Sequence, residues 1–246
     1  MPFKEHGEDM YSLSPSHPIL SSRNANIFQP TYFALAQFLK ASNYENTSDP
    51  KNTVVYQILG YKDKVLMDIS MEKPEWAQAF GTLMSTWGER NALLQHLYPV
   101  QKGLVDGFDA NVSPYSLLML VEAMGRKRLR FERLSGAAGR GSGGYYIRQC
   151  LHDWPDDACI KILSMLRGAM KPGYLRLLLH ELIVPEVGAS LWVFVQDINM
   201  MTLAAVAERT EKKWAEFLEL SGFSVRRVYY AVDGVSESVI EAVVRE

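Results

Sequence analysis

From Tyr145 to the C-terminus the chain alternates short apolar runs with amphipathic ones, and no other feature restricts its fold so strongly. YYIRQCL reads as a buried strand, HDWP as a turn, and PDDACIKILSMLRGAM as a helix that opens on Pro155 and two aspartates, whose charge complements the helix dipole. Lys171-Pro172-Gly173 stops that helix. YLRLLLHELIV reads as a second strand and SLWVFVQDINMMTLAAVA as a strongly apolar helix. TEKKWAEFLELSG reads as a further helix, started by Thr210 and closed by Gly222. The ending, FSVRRVYYAVDGVSESVIEAVVRE, reads as two strands joined through Asp233-Gly234, a hairpin signal. This order predicts an α/β sheet whose edge is an antiparallel C-terminal hairpin.

Upstream the pattern is less regular. Residues 1–29 are polar and rich in Ser, Pro and Asn, which favours turns and short extended pieces. From Pro30, Phe33, Leu35, Phe38 and Leu39 fall near helical spacing, and Asn43 to Asn52 reads as a loop. Between Pro74 and Tyr98 a longer helical pattern repeats Trp76, Phe80 and Met84 on one face. YPVQKGLVDGFDANVSP reads as a short helix followed by a loop. Residues 116–143 then break the pattern, passing from an apolar run through the basic MGRKRLRFERL to the linker-like SGAAGRGSGG.

Composition removes several classes of function. The 246 residues carry a net charge of -2, so no excess of Lys and Arg marks a nucleic-acid or anionic-membrane partner. The two cysteines, Cys150 and Cys159, form no zinc or disulfide pattern, and no metal site is expected. No apolar run reaches membrane-spanning length and the N-terminus lacks a signal-peptide core, so the expected location is cytoplasmic.

His152 follows a strand at its carboxyl end, where open α/β sheets bind ligands. A neutral imidazole takes a proton from a hydroxyl near neutral pH if a carboxylate stabilises the product imidazolium. Glu181, near the end of the next strand, and Glu208, in VAERTE between two helices, are the candidates for that support. Taken residue by residue, a turn-capping histidine and two solvated glutamates account for the same pattern.

The string YYIRQCLHDWPDDACIKIL resembles the signature of the caffeic-acid-type and fungal secondary-metabolite O-methyltransferases, a cation-independent, S-adenosylmethionine-dependent family. HELIVPE, AERTE, QDINMM, WAEFLELSGF and SVIEAVV continue the resemblance to the C-terminus. It implies a Rossmann-like methyltransferase domain over 111–246, with His152 as general base and Glu181 and Glu208 flanking and orienting it. It also implies Arg148 beside the S-adenosyl-L-methionine cofactor and Asp153 against the substrate. Upstream, EDMYSLSP is similar to the wing of the family's winged-helix dimerisation domain. Residues 1–29 are thus expected to be a remnant of that domain, and 30–110 the helical connector and acceptor-pocket helices. Trp76, Phe80 and Met84 align with pocket positions, and pocket lining and ordinary core explain them equally well. The implied partners are a small aromatic or polyketide-like substrate with a phenolic or enolic hydroxyl, and a second copy in a homodimer.

Departures from the family pattern fall in two places. The helices that precede the wing in relatives are not recognisable. SPYSLLMLVEAMGRKRL stands where these enzymes carry a Gly-rich cofactor turn of the form LVDVGGGxG, whose glycines let the backbone approach the ligand. GRGSGG at 139–144 is no substitute, because no apolar strand precedes it and no helix follows. A shift of reading frame accounts for the departure. With Ser116 ending in C, TTG for Leu117, Leu118 and Leu120, ATG for Met119 and Met124, GTG for Val121, GAG for Glu122 and GCA for Ala123, the frame one base earlier spells Leu-Val-Asp-Val-Gly-Gly-Gly-Asn-Gly. On this reading 116–143 is disrupted, and loss of the first strand and its Gly-rich turn leaves the central sheet without its middle and exposes unpaired, aggregation-prone strand edges. A cofactor-independent, pericyclase-like enzyme or a non-catalytic partner on the same scaffold is the alternative function.

Overall fold

A computed structural model describes residues 3–7, 10–13, 22–45, 49, 51–61, 72, 74, 77–78, 94–106, 117–122, 129–133, 143–231 and 237–245. The chain divides into two compact units, Met1–Asn91 and Ala92–Glu246.

In the first unit, β1 (Phe3–Gly7) and β2 (Met10–Leu13) pair as an antiparallel hairpin. They are followed by α1 (Ser22–Ala41) and α2 (Val54–Leu59). α1 begins well before the expected start at Pro30 and carries that proline in its interior. A proline removes one helical hydrogen bond and crowds the preceding turn. The long helix absorbs that local loss, so neither the proline nor the Ser/Asn-rich lead-in marks its start. Phe38 of α1 and Val54, Val55 and Tyr56 of α2 are buried. Trp76, Phe80 and Met84 lie outside the described residues.

The second unit opens with the short α3 (Leu94–Leu97) and a π-helical turn at Gln101–Val105. The sheet then takes β3 (Leu117–Glu122), β4 (Leu129–Arg133), β5 (Gly144–Arg148), β6 (Arg176–Glu181), β9 (Phe223–Tyr229) and β10 (Ser238–Val244), in the order β4-β3-β5-β6-β10-β9. β3, β5 and β6 run parallel, while β4 and β10 are antiparallel to their neighbours. The hairpin expected at the C-terminus is present; Asp233-Gly234 at its tip lies outside the described residues.

The segment 116–143 departs from expectation. Its apolar run forms β3 beside β5, with Leu118 opposite Tyr145 and Leu120 opposite Ile147. β5 is therefore paired on both sides, so the gap expected in the middle of the sheet is filled. The basic stretch forms β4, with Leu118 opposite Arg133 and Leu120 opposite Phe131. Its sequence, LRFER, carries the period-two alternation of an edge strand, which the density of positive charge obscured.

Between these strands lie α4 (Asp156–Ala169), a short β7 (Ile183–Val184), α5 (Leu191–Ala204), β8 (Arg209–Thr210) and α6 (Glu211–Leu220). α4 turns Cys159, Ile162, Leu163 and Leu166 inward, the spacing of one helical face. With Trp214, Phe217 and Leu218 of α6 they cover one face of the sheet, built from Tyr145, Ile147, Leu177, Leu179, Ile240 and Ala242. The other face presents Tyr146, Leu178 and Val239 to Tyr98 and Leu104. Burial on both faces explains why β5 and β6 read as near-continuous apolar runs. It also leaves their carboxyl ends as the place where polar chemistry gathers.

Candidate active site

β5 ends at Arg148, and the chain turns abruptly at Gln149, whose φ of 43° lies in the left-handed region that side chains other than glycine seldom adopt. Cys150 follows, then a 3-10 turn over Leu151–Asp153 that carries His152. Trp154 leads into Pro155, the N-cap of α4, with Asp156 and Asp157 in the first helical turn. His152 thus stands between the end of a central strand and the start of a helix, with Leu151 buried beneath it as its anchor.

The imidazole Nδ1 lies 3.0 Å from Glu208 Oε1, and the two side chains are 16% and 2% exposed. Nε2 lies 3.6 Å from Asp153 Oδ1, a carboxylate 42% exposed. Burial disfavours the charged imidazole, but the negative charges of Asp153, Glu208 and Glu181 and the Glu208 hydrogen bond outweigh it and hold the His152 pKa well above 6.5. Glu208 is itself fixed by its backbone N–H, which donates to Asp197 Oδ1 at 2.8 Å. Burial raises the pKa of Asp197.

Glu181 is fully buried at the end of β6, yet it forms no hydrogen bond to the imidazole. Its Oε1 accepts instead from the backbone N–H of Cys150 at 3.2 Å and of Leu151 at 3.0 Å. Its Oε2 has no hydrogen-bond partner. Burial pushes its pKa up to about 7, against the opposing effects of His152 and the two N–H groups. The structure therefore brings the three expected residues together but gives the two glutamates different work: Glu208 meets the ring, Glu181 meets the turn.

Arg148 closes β5 beside this turn. Its Nη2 lies 3.7 Å from Glu237 Oε2, while its buried Nε and Nη2 make no hydrogen bond. One residue further on, the Gln149 side chain donates to Glu237 Oε1. Tyr146 Oη lies 2.7 Å from Nδ1 of the buried His180. Burial and the nearby Arg148 depress the His180 pKa to about 4, so this second histidine is neutral. Among the described residues no cluster of His, Cys, Asp and Glu could hold a metal ion, and no helix is long and apolar enough to cross a membrane.

Sequence reasoning missed Arg209. It is 4% exposed, and donates to Leu151 O at 3.0 Å, Trp154 O at 2.6 Å and Asp156 Oδ1 at 3.1 Å. Its place between Glu208 and the N-cap Thr210 was the available signal, since a residue wedged between a site carboxylate and a helix start cannot point freely into water. Asp197, in QDINMM, was passed over as part of an apolar helix.

Comparisons with known proteins bear on the family and the fold. Methyltransferase cfoC of Aspergillus candidus is 27% identical over 252 residues, covering 88% of this chain and 62% of the relative. O-methyltransferase asqD of Emericella nidulans is 28% identical over 241 residues, covering 83% and 62%. This chain thus spans about three fifths of the length of these curated relatives. Among solved structures, OxaC in complex with sinefungin and meleagrin superimposes with a TM-score of 0.71 at 22% identity, covering 99% of this chain and 72% of that one. A structure described as a pericyclic reaction enzyme gives 0.72 at 20% identity, covering 96% and 71%. These two likenesses show a shared fold. The model of the O-methyltransferase domain family matches residues 17–224, and the chain belongs to that family.

Proposed function

We propose that this chain carries the acceptor-activating half of an O-methyltransferase site, in which His152 deprotonates a phenolic or enolic hydroxyl of a small aromatic or polyketide-like metabolite. The observation that carries this reading is the 3.0 Å contact between His152 Nδ1 and the buried Glu208. With Nδ1–H donated to Glu208, Nε2 keeps its lone pair for the incoming hydroxyl. As the proton arrives, the Glu208 and Asp153 carboxylates stabilise the imidazolium. Asp153, partly exposed at 3.6 Å from Nε2, stands where it would meet the acceptor.

S-adenosyl-L-methionine would supply an electrophilic methyl group. The residues at the end of β5 fit such a ligand in one respect: buried N–H groups of Arg148 lack hydrogen-bond acceptors, which an amino-acid carboxylate would provide. The remaining task of the chain is positioning, which contributes much of the rate gain when two bound reactants must align. Several likenesses support the reading: the family match, and the similarity to OxaC, a protein solved in complex with sinefungin and with S-adenosylhomocysteine. The β1–β2 hairpin is consistent with a winged-helix remnant, and a homodimer of cytoplasmic subunits remains part of the proposal.

One observation favours a second reading. The sequence that leaves β3 is EAMGRKRL, without the run of glycines that brings a backbone against a cofactor, so a cofactor-independent or non-catalytic role on the same scaffold follows if the methyl donor is not bound. Calorimetric titration of the full chain with S-adenosylmethionine separates the two. Saturable binding weakened by Arg148→Ala supports the transferase; absence of binding by the folded protein refutes it. The coding nucleotides of codons 116–125 test the frame-shift reading: failure to spell a Gly-rich turn one base earlier removes it.

A further inference from the structure

The turn that presents His152 is held by its backbone, from two sides, by two buried polar side chains that do not hydrogen-bond to the imidazole. On one side, Cys150 N–H and Leu151 N–H both donate to Glu181 Oε1, at 3.2 and 3.0 Å. On the other, Arg209 donates from Nη1 to Leu151 O at 3.0 Å and from Nη2 to Trp154 O at 2.6 Å. Arg209 also reaches Asp156 in the first turn of α4, and its guanidinium stands 5.2 Å from the ring of Trp214 and 5.0 Å from that of Phe217. The residues before and after His152 are thereby tied down, and Leu151 is gripped at both its amide and its carbonyl.

The arrangement is coupled to the histidine's own partner. Glu208 and Arg209 are consecutive, so one backbone segment delivers the carboxylate that meets the ring and the cation that fixes the turn. β8 also pairs with β7, with Arg209 opposite Ile183, two residues beyond Glu181. The two ends of the clamp therefore sit on one small ladder. The left-handed backbone at Gln149, whose N–H donates to His180 O at 3.1 Å, is the bend that such fastening maintains.

We propose that Glu181 and Arg209 are positioning residues, one an acceptor and the other a donor, that together clamp the backbone of the His152 turn. Glu181 acts there as a hydrogen-bond acceptor for two amides, and the hydrogen bond to the imidazole is left to Glu208. This deepens the methyltransferase reading and rests on it for its consequence in catalysis, but its geometric content stands apart from any reaction.

The test compares four variants of the full chain, Glu181→Gln, Glu181→Leu, Arg209→Lys and Arg209→Met. Site-resolved amide hydrogen exchange is read at Cys150 and Leu151, alongside methyl transfer to a phenol. Glutamine keeps an acceptor oxygen, so Glu181→Gln retains amide protection and kcat within a few-fold. Glu181→Leu speeds exchange at both amides by about tenfold or more, the loss expected for hydrogen bonds to a charged group, and lowers kcat with little change in KM. Arg209→Lys, which can satisfy one carbonyl but not the whole set, falls between wild type and Arg209→Met in kcat. Unaltered protection in Glu181→Leu, or Glu181→Gln as damaging as Glu181→Leu, overturns the clamp. A wild-type chain that transfers no methyl group refutes the transferase reading alone, because the exchange measurement still decides the geometry. Should Glu181→Leu or Arg209→Met fail to fold, Glu181→Gln and Arg209→Lys carry the comparison: fast exchange in Glu181→Gln, or full kcat in Arg209→Lys, sinks the proposal.

Discussion

Replacing Glu181 by Gln should flatten the pH dependence of folding stability between about pH 4.5 and 7. Folding raises this carboxyl from 4.5 to about 7, because burial disfavours its charge more than His152 and two amides favour it. Its folded pKa exceeds its unfolded one, so the native state binds the proton more tightly and the group's contribution is fully present below pH 4.5. It is lost as pH rises through the folded value. A shift of roughly 2.5 pKa units, at about 1.36 kcal/mol each, corresponds to a loss of about 3 kcal/mol across that interval. Glutamine cannot ionise. Any fixed cost of placing its amide at the unpartnered Oε2 position is the same at every pH and cancels from the slope. The assay is urea unfolding followed by tryptophan fluorescence at pH 4.5, 5.5, 6.5 and 7.5 for both proteins. Wild type should lose about 3 kcal/mol more than the variant over this range. Parallel curves would refute the claim that Glu181 is buried with its charge inadequately compensated.

Further outcomes follow from the same structure. The acid limb of a pH profile for methyl transfer should lie above pH 6.5, since a base must be unprotonated and carboxylates raise the pKa of His152. Glu208→Gln removes the nearest of these at Nδ1 and should move that limb to lower pH while cutting kcat by about 10²-fold or more. Leu163→Ala, in the core between α4 and the sheet, should cost about 2–5 kcal/mol in chemical unfolding. Gly222→Ala should lower stability by about 1 kcal/mol or more, because φ there is +82° and a Cβ would lie 2.5 Å from Arg167 Nε, a contact only partly relieved by moving that side chain.

The parts of this molecule legible in sequence are those in which local pattern and tertiary role coincide. Leu177 and Leu179 face α4 and α6, Leu178 faces Tyr98, and a run buried on both sides announces itself as a parallel strand. Thr210 caps α6 by accepting from Lys213 N–H, as its position suggested. His152 stood out through its place at a strand end, where such sheets bind ligands, together with the family resemblance of the string around it, and the structure brings it against Glu208. The failures have the opposite character. Glu181 and Glu208 look alike in sequence, and only the turn at Gln149 decides that one faces two amides and the other an imidazole. Arg209 was missed because an arginine near a helix start reads as solvated, whereas here aromatic rings and backbone carbonyls replace water around it. The basic run at β4 hid an alternating strand behind its charge.

The central claim, that His152 is the base of a methyl transfer, is met most directly by measuring transfer of an isotopically labelled methyl group from S-adenosylmethionine to a panel of phenols by wild type and His152→Ala, with donor binding followed by calorimetry in each. The account predicts transfer by wild type and a kcat lower by about 10²–10⁴-fold in His152→Ala, with donor affinity preserved. Equal rates in the two proteins would contradict it, as would a folded wild-type chain that binds the donor and methylates nothing.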